Sequence, residues 1–589
     1  MALLGRWTGV NTSLVPTASW TAPNALFPNE ARNDSSTYGW SSTTSTITLP
    51  ASDLADGYLF IARYKYDDAS NSRVSIAGRF QQTGGTGDFV NGQSGDYSRN
   101  NNNDKCISSN WGFVHGPSAS ATIQFQWERE SDAPTAGTTS KFSIDVIPLY
   151  YSNHGLYSGI DATTLGGITP NVVTLNSTID ESDTAAIERV GNVVTVKGNS
   201  KRYWIFSSQW YNNFGESGTT RTQRVHGMDI DGSQELAAQG YSYHRQGSSD
   251  GTGSTPFDLL ETDTADRTIE LTCYRGDGIT NNLGGADTDA HTGGSEEGIQ
   301  GLVVLELNDS AEVARSHNTA TTAFTNGAGV DLPVVSVAGI DINDSASFVR
   351  ASDNAFNAEQ AMDAFVWGNV WAASSDVSSS ERGTWENNIT VDGAEDSQVF
   401  DGTYGPRGNQ ASEDCFAYGA NPKGFVALSA DEDIGVSVSW SGQDTLIQPT
   451  RTNVGTVGFG VINLDTMQAA AGETATGAPS AHLPTSSGVS EIVKVASSSN
   501  TLSAVTADGV ALLDWAAEHN QSNYRFEKDD GSESESTFLT TQNTNIIRDT
   551  ENPFRLRQGA QLIGDPPAAI TATLQYKESG DSAAEWRNV

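Results

Sequence analysis

Three stretches of the chain repeat one order of short strands, and each opens on a strand dense in aromatic residues. These are Gly57-Tyr58-Leu59-Phe60-Ile61-Ala62-Arg63-Tyr64, Arg202-Tyr203-Trp204-Ile205-Phe206, and Asp363-Ala364-Phe365-Val366-Trp367-Gly368-Asn369-Val370-Trp371. Each later brings a tyrosine and an arginine close together: Tyr97 and Arg99, Tyr243 and Arg245, Tyr404 and Arg407. A short apolar strand follows (111–114, 257–260, 424–428), then an alternating one (122–127, 268–274, 434–440). Each repeat closes on a more continuous apolar strand, 142–149, 299–307 and 457–464. Period-two alternation buries one face of a strand and wets the other, whereas an unbroken apolar run implies burial on both faces. Strands bounded by Gly, Asn, Asp and Ser clusters predict an all-β fold of sandwiches or barrels. Helical periodicity is confined to two short segments, 357–363 and 510–519.

A chain of 589 residues accommodates about four domains. Residues 1–35, with few periodic apolar positions, read as an N-terminal docking arm or, equally, an ordinary terminal extension. The repeats occupy 36–153, 154–310 and 311–467, with turn-formers concentrated at 156–175. An Ala/Gly/Thr/Ser/Pro-rich linker at 468–488 precedes a separate C-terminal module, 489–589.

The formal charge is −39, from 33 Lys plus Arg against 72 Asp plus Glu. Phosphate backbones are bound by neutralising cations, so nucleic acid is a poor partner, as is an anionic membrane surface. The 13 Trp, 17 Tyr and 21 Phe set in alternating strands argue against the disorder that acidity alone would imply. Cys106, Cys273 and Cys415 form neither a disulfide framework nor a CxxC metal pattern. The start, Met1-Ala2-Leu3-Leu4-Gly5-Arg6-Trp7, lacks the apolar core of a signal peptide, and no apolar run is long enough to cross a bilayer, so assembly in a cytoplasm is expected.

Candidate chemistry is sparse. Met228-Asp229-Ile230-Asp231-Gly232 holds a fragment of a calcium-loop pattern, but Gly240 stands where a loop counted from Asp229 needs a bidentate Glu. Asp229 and Asp231 are therefore weak Ca²⁺ candidates, and a β-turn capped by Asp and Gly is the alternative. Asp431-Glu432-Asp433 and Asp529-Asp530 read as solvated loop tips. His226 and His244 lack ligand spacing and read as surface or inter-strand residues. No Gly-x-Ser-x-Gly elbow offers a nucleophile, and with so many carboxylates no pair can be nominated for glycoside hydrolysis. The three tyrosine–arginine pairs read as stacking that pins a loop. Trp111, Tyr211 and Trp385 are the aromatic candidates for stacking on a host-surface glycan, with core packing as the alternative.

The strand order within each repeat resembles the jelly rolls of the tumour necrosis factor and complement globular-head superfamily, which also occur in virus and phage spikes. The opening aromatic strand and the closing Gly458-Phe459-Gly460-Val461-Ile462-Asn463-Leu464 carry that resemblance. It implies a Gly-Phe strand near a threefold axis. The segments Tyr524-Arg525-Phe526-Glu527-Lys528, Pro553-Phe554-Arg555-Leu556-Arg557, Leu574-Gln575-Tyr576 and Trp586-Arg587-Asn588-Val589 resemble a small β-sandwich of tailed-phage structural proteins. Together these resemblances imply three tandem jelly rolls plus a C-terminal β-sandwich, in a homotrimeric, non-enzymatic protein on the virion surface. Its partners would be itself, capsid or tail proteins and a host glycan. A capsid decoration or head spike competes with a tail fibre or receptor-binding protein. A secreted adhesin and a depolymerase are the other classes.

Overall fold

The computed structural model describes residues 3–471, apart from 11–13, 52–53, 68–72, 100–104, 130–139, 161–169, 213–220, 236, 246–250, 276–298, 319–329, 333–340, 345, 375–382, 406–415 and 443–452. Beyond 471 it describes only the strands Ala504–Val505, Ala511–Leu512, His519–Lys528, Phe554–Leu562, Gln575–Tyr576 and Arg587–Asn588. The chain divides into two units, Met1–Ala470 and Ala471–Val589. In the second, His519–Lys528 pairs antiparallel with Phe554–Leu562, and Gln575–Tyr576 with Arg587–Asn588.

The first unit holds three jelly-roll sandwiches, each with an inner sheet of the same strand order. In repeat 1 a lead strand, Gly5–Gly9, pairs with the closing strand Lys141–Leu149, which pairs with the central strand Gly57–Asp67, which pairs with the axial strand Lys105–His115. Repeat 2 uses Asn153–Ile160, Ile299–Glu306, Arg202–Asn212 and Phe257–Glu261 in the same order. Repeat 3 uses Val313–Asn318, Asn453–Asn463, Met362–Ser374 and Lys423–Leu428. The expected docking arm is thus corrected: its residues 5–9 are the first strand of repeat 1. The turn-rich segment after repeat 1 likewise begins inside the lead strand of repeat 2. Residues 357–363, read as helical, instead span the end of the strand Ala355–Ala358 and the start of Met362–Ser374.

The aromatic opening strands are buried on both faces because each serves two cores. In repeat 1, Leu59 and Ile61 face a shared core while Tyr58, Phe60, Ala62 and Tyr64 fill the sandwich of that repeat. Trp204 and Phe206 divide from Tyr203 and Ile205 in the same way, as do Phe365 and Trp367 from Ala364 and Val366. The closing strands follow suit, with Ile147, Leu305 and Ile462 in the shared core and Val146, Val304 and Val461 in the three private ones. The shared core therefore collects equivalent positions from all three repeats, and the repeats pack about an internal pseudo-threefold axis. The apolar face that motivated the expectation of a homotrimer is covered within one chain.

The axis is marked by two further sets of equivalent residues. Tyr97, Tyr243 and Tyr404 meet with ring centroids 5.3, 5.4 and 5.6 Å apart, a nearly equilateral triangle. The rings expected to stack on arginines pack on one another; the arginine side chains lie outside the described residues. Pairing to Ile61, Phe206 and Trp367 makes Trp111, Phe257 and Lys423 equivalent. The fully buried Lys423 ammonium donates to one acceptor from each repeat: Thr255 Oγ1 at 2.6 Å, the Asn421 carbonyl at 2.8 Å and the Ser109 carbonyl at 3.5 Å. All three protons of the ammonium are thereby used. Burial pulls its pKa down, against the attraction of Asp401.

Glycine sets the closest approach between repeats 2 and 3. A Cβ on Gly458 would collide with the Ala237 carbonyl of repeat 2, and one on Gly460 with the Trp367 ring. Gly458 thus lets the closing strand of repeat 3 lie against repeat 2, while Gly460 makes room for the Trp367 ring of its own repeat. Repeats 1 and 2 also share a continuous sheet through one bridging pair, Gly95 and Gly253.

Candidate metal centre

The three seams between repeats carry different side chains at equivalent positions. Gly5, Gly155 and Ala314 pair with Val146, Val304 and Val461, so Arg6, Leu156 and Arg315 correspond. Arg6 binds Asp145 and donates across the seam to the Phe425 carbonyl of repeat 3 at 2.7 Å. Arg315 reaches from repeat 3 to Asp258 (3.0 Å) and Glu235 (2.7 Å) of repeat 2. At the remaining seam, between repeats 2 and 1, the equivalent residue is the apolar Leu156. There the structure brings together His115, His154 and Asp180 instead.

His115 ends the axial strand of repeat 1. His154 lies in the lead strand of repeat 2, and Asp180 lies in Ser177–Glu181, which pairs with that lead strand. His154 Nε2 is 2.7 Å from Asp180 Oδ2, and His115 Nε2 is 3.9 Å from the same oxygen. The two imidazoles lie one over the other with centroids 3.7 Å apart and planes tilted by 32°. The Tyr151 hydroxyl donates to the Asp56 carbonyl at 3.2 Å and lies 2.5 Å from His115 Nδ1. With the hydroxyl proton on the Asp56 carbonyl, His115 Nδ1 donates to Tyr151 and Nε2 carries the lone pair, the tautomer that a cation at Nε2 requires. Burial, then the neighbouring His154, push the His115 pKa down to about 4, so the ring is neutral near pH 7. Asp88 sits opposite His115 across a strand pair, and burial and Asp180 raise its pKa. Two imidazoles and a carboxylate converging on one point can bind a cation or exchange protons.

The sequence candidates fall elsewhere. Asp231 and Gly232, with φ of 53° and 71°, form the turn of a hairpin closed by Ile230 and Ser233. The Asp231 carboxylate is taken by Arg267 at 2.5 Å and the Thr268 amide at 2.8 Å, while Asp229 accepts from Thr272 at 3.1 Å. Both carboxylates bind the neighbouring strand Arg267–Arg275, and Asp231 with Gly232 forms the turn that the sequence offered as the alternative. Trp111 is fully buried in the shared core with its indole N–H on the Ser207 carbonyl at 3.0 Å, and Trp385 is buried in repeat 3. Neither is a surface platform, which corrects the glycan reading of both. The side chains of Tyr211 and His244, and all of Asp529 and Asp530, lie outside the described residues. Asp431, at φ 70°, and Glu432, which accepts from the Ser429 amide, form a turn. Cys106 and Cys273 are buried thiols, and Cys106 Sγ donates to the Asp96 carbonyl at 2.8 Å.

His226 is fully buried between strands, its Nε2 2.8 Å from the Ser242 hydroxyl. Burial, then Arg224, push its pKa well below the ordinary 6.5. The unfolded chain thus binds a proton that the folded one refuses. The associated stability is present above about pH 6.5 and is lost as pH falls toward the folded value, at up to roughly 1.4 kcal/mol per pH unit. His226→Gln should flatten the pH dependence of the urea midpoint between about pH 6.5 and 5. Equal slopes for the two proteins would contradict a neutral buried ring.

No family model matches the chain, and no curated protein matches it. Two solved structures of PNGF-II, in space groups P21 and C2, align with 69% of this chain and with 99% and 98% of their own. Identity is 9% and the TM-scores are 0.22 and 0.21, a likeness too slight to bear on function.

Proposed function

We propose that this chain is a non-enzymatic structural protein on the surface of a tailed-bacteriophage particle, a capsid decoration or head spike. The observation that carries this reading is the closure of three jelly rolls about one internal axis, which makes the first unit a self-contained threefold body. Equivalent strands of the three repeats form its core, with positions such as Trp111 and Trp385 spent on packing. Resemblance of the C-terminal segments to a tailed-phage module supports the same class. The charge of −39 suits a surface that stays soluble and does not adhere to nucleic acid. Capsid or tail proteins would be its partners, with host-surface glycan met by loops.

The assembly unit in this reading is one chain, because the face that threefold packing of separate copies would bury is already covered. Mass photometry should then give a dominant species near 62.4 kDa. A stable species of three times that mass would restore the homotrimer. Immunogold labelling of virions tests the class: gold on heads supports decoration, gold on tails points to a fibre, and unlabelled particles overturn the proposal.

A further inference from the structure

We propose that His115 Nε2, His154 Nε2 and a carboxylate oxygen of Asp180 bind one zinc-like divalent ion, which clamps repeat 1 to repeat 2. The donor set selects the class of metal. Two imidazoles and one carboxylate suit zinc and its late first-row neighbours, whereas calcium and magnesium take oxygen donors almost exclusively.

Geometry brings the donors close to a bound arrangement. All the ligand atoms lie within 4.8 Å of one another. Bonds of about 2.0–2.2 Å in a tetrahedron separate donors by about 3.4 Å. The 2.7 Å contact between His154 and Asp180 must therefore open and the 3.9 Å gap from His115 must close. Asp180, whose side chain is 36% exposed, can make both adjustments by its own torsions, and the His115 ring, 24% exposed, must splay from the His154 ring that it now lies over at 3.7 Å. The His154 side chain, 6% exposed, is held in place. Tyr151 supplies the outer-sphere partner that metal-bound imidazoles usually have: its hydroxyl oxygen lies 2.5 Å from His115 Nδ1 and can accept that proton once Nε2 binds the ion.

The placement gives the ion a role. One ligand comes from repeat 1 and two from repeat 2, so binding holds the two sandwiches together. At the other seams that role belongs to Arg6 and Arg315, which cross into the next repeat. Leu156 brings no cation to this seam, and a metal would supply it. Metal binding to the folded chain alone raises its stability by mass action.

The test uses the full chain, stripped with EDTA and dialysed against micromolar Zn²⁺, with metal content and thermal midpoint both measured. Wild type should hold one zinc per chain more than the double variant H115Q/D180N, and zinc should raise its midpoint. Single variants H115Q and D180N should lose the midpoint shift and at least about tenfold in affinity. His317→Gln, which removes a histidine–carboxylate pair without a second imidazole, should retain both. Calcium should give no shift. If a ligand variant misfolds in EDTA, Tyr151→Phe keeps the ligands and should still weaken zinc about tenfold or more. Equal zinc content in wild type and the double variant would overturn the site. Site-specific binding with no midpoint shift would overturn the clamp. Neither outcome bears on the virion reading, which the labelling experiment decides separately.

Discussion

Replacing Asp145 with alanine should destabilise the three-repeat unit by about 3–5 kcal/mol, seen as a large drop in the urea midpoint. Asp145 is fully buried between two guanidiniums. Arg6 binds it through Nε at 2.6 Å and Nη2 at 2.8 Å, and Arg63 Nη2 lies 2.5 Å from the second oxygen. Burial alone would raise this carboxyl, but the charges of Arg6 and Arg63 hold it below the usual range. Both arginines also reach into repeat 3, Arg6 to the Phe425 carbonyl and Arg63 to that of Lys423 at 2.5 Å. Removing the carboxylate leaves two cations in low dielectric without their counter-charge, and they cannot reach water without opening the seam. Because the pair is screened by protein rather than by ions, the loss should change little with added salt. A midpoint shift worth less than about 1 kcal/mol would show that the seam relaxes to hydrate both arginines.

Truncation of Trp204 to alanine should cost a similar amount, about 3–5 kcal/mol. The ring is fully buried in the shared core. It lies 4.8 Å from Phe365 and 6.4 Å from Trp367 of repeat 3, and 5.3 and 6.0 Å from Phe206 and Phe257 of its own repeat. A void there would face rigid aromatic rings from two repeats, which cannot collapse to fill it. The Trp204 indole N–H has no hydrogen-bond partner among the described residues. Trp204→Phe removes that polar group and keeps most of the ring, so it should cost less than about 1.5 kcal/mol. If alanine and phenylalanine behaved alike, packing at the axis would not be what holds the repeats together. Urea titration of both variants separates these outcomes.

Much of the fold was legible because period two is a local property. The run from Gly57 to Tyr64 announced an aromatic-rich strand, and the closing strands announced burial on both faces three times over. The sequence also carried the equivalence of Tyr97, Tyr243 and Tyr404, though only packing made them one cluster. The lead strands were missed for a physical reason. Gly5–Gly9 holds one large apolar residue, Trp7, between Arg6 and Thr8, and its place is set by pairing to a strand far along the chain. Similarly, Gly155 and Gly159 gave the lead strand of repeat 2 the look of a linker.

The candidate metal centre left no motif. His115, His154 and Asp180 sit at the end of an axial strand, just before the apparent linker and in a short edge strand, and no spacing between them matches a ligand pattern. Burial separated Asp229 and Asp231 from Trp111 and Trp385, which composition had left equally eligible. The first two cap a hairpin and the latter two fill cores.

By itself, then, the amino-acid order determined an all-β chain of three like repeats, since alternation and turn chemistry act within a few residues. It also determined that each repeat carried apolar surface on two faces. Which partner covers the second face is a question of long-range geometry. Only the tertiary structure decided that the partner is the same chain, because Gly458 meeting Ala237, Lys423 bound by all three repeats and the histidines at one seam are contacts between residues far apart in sequence.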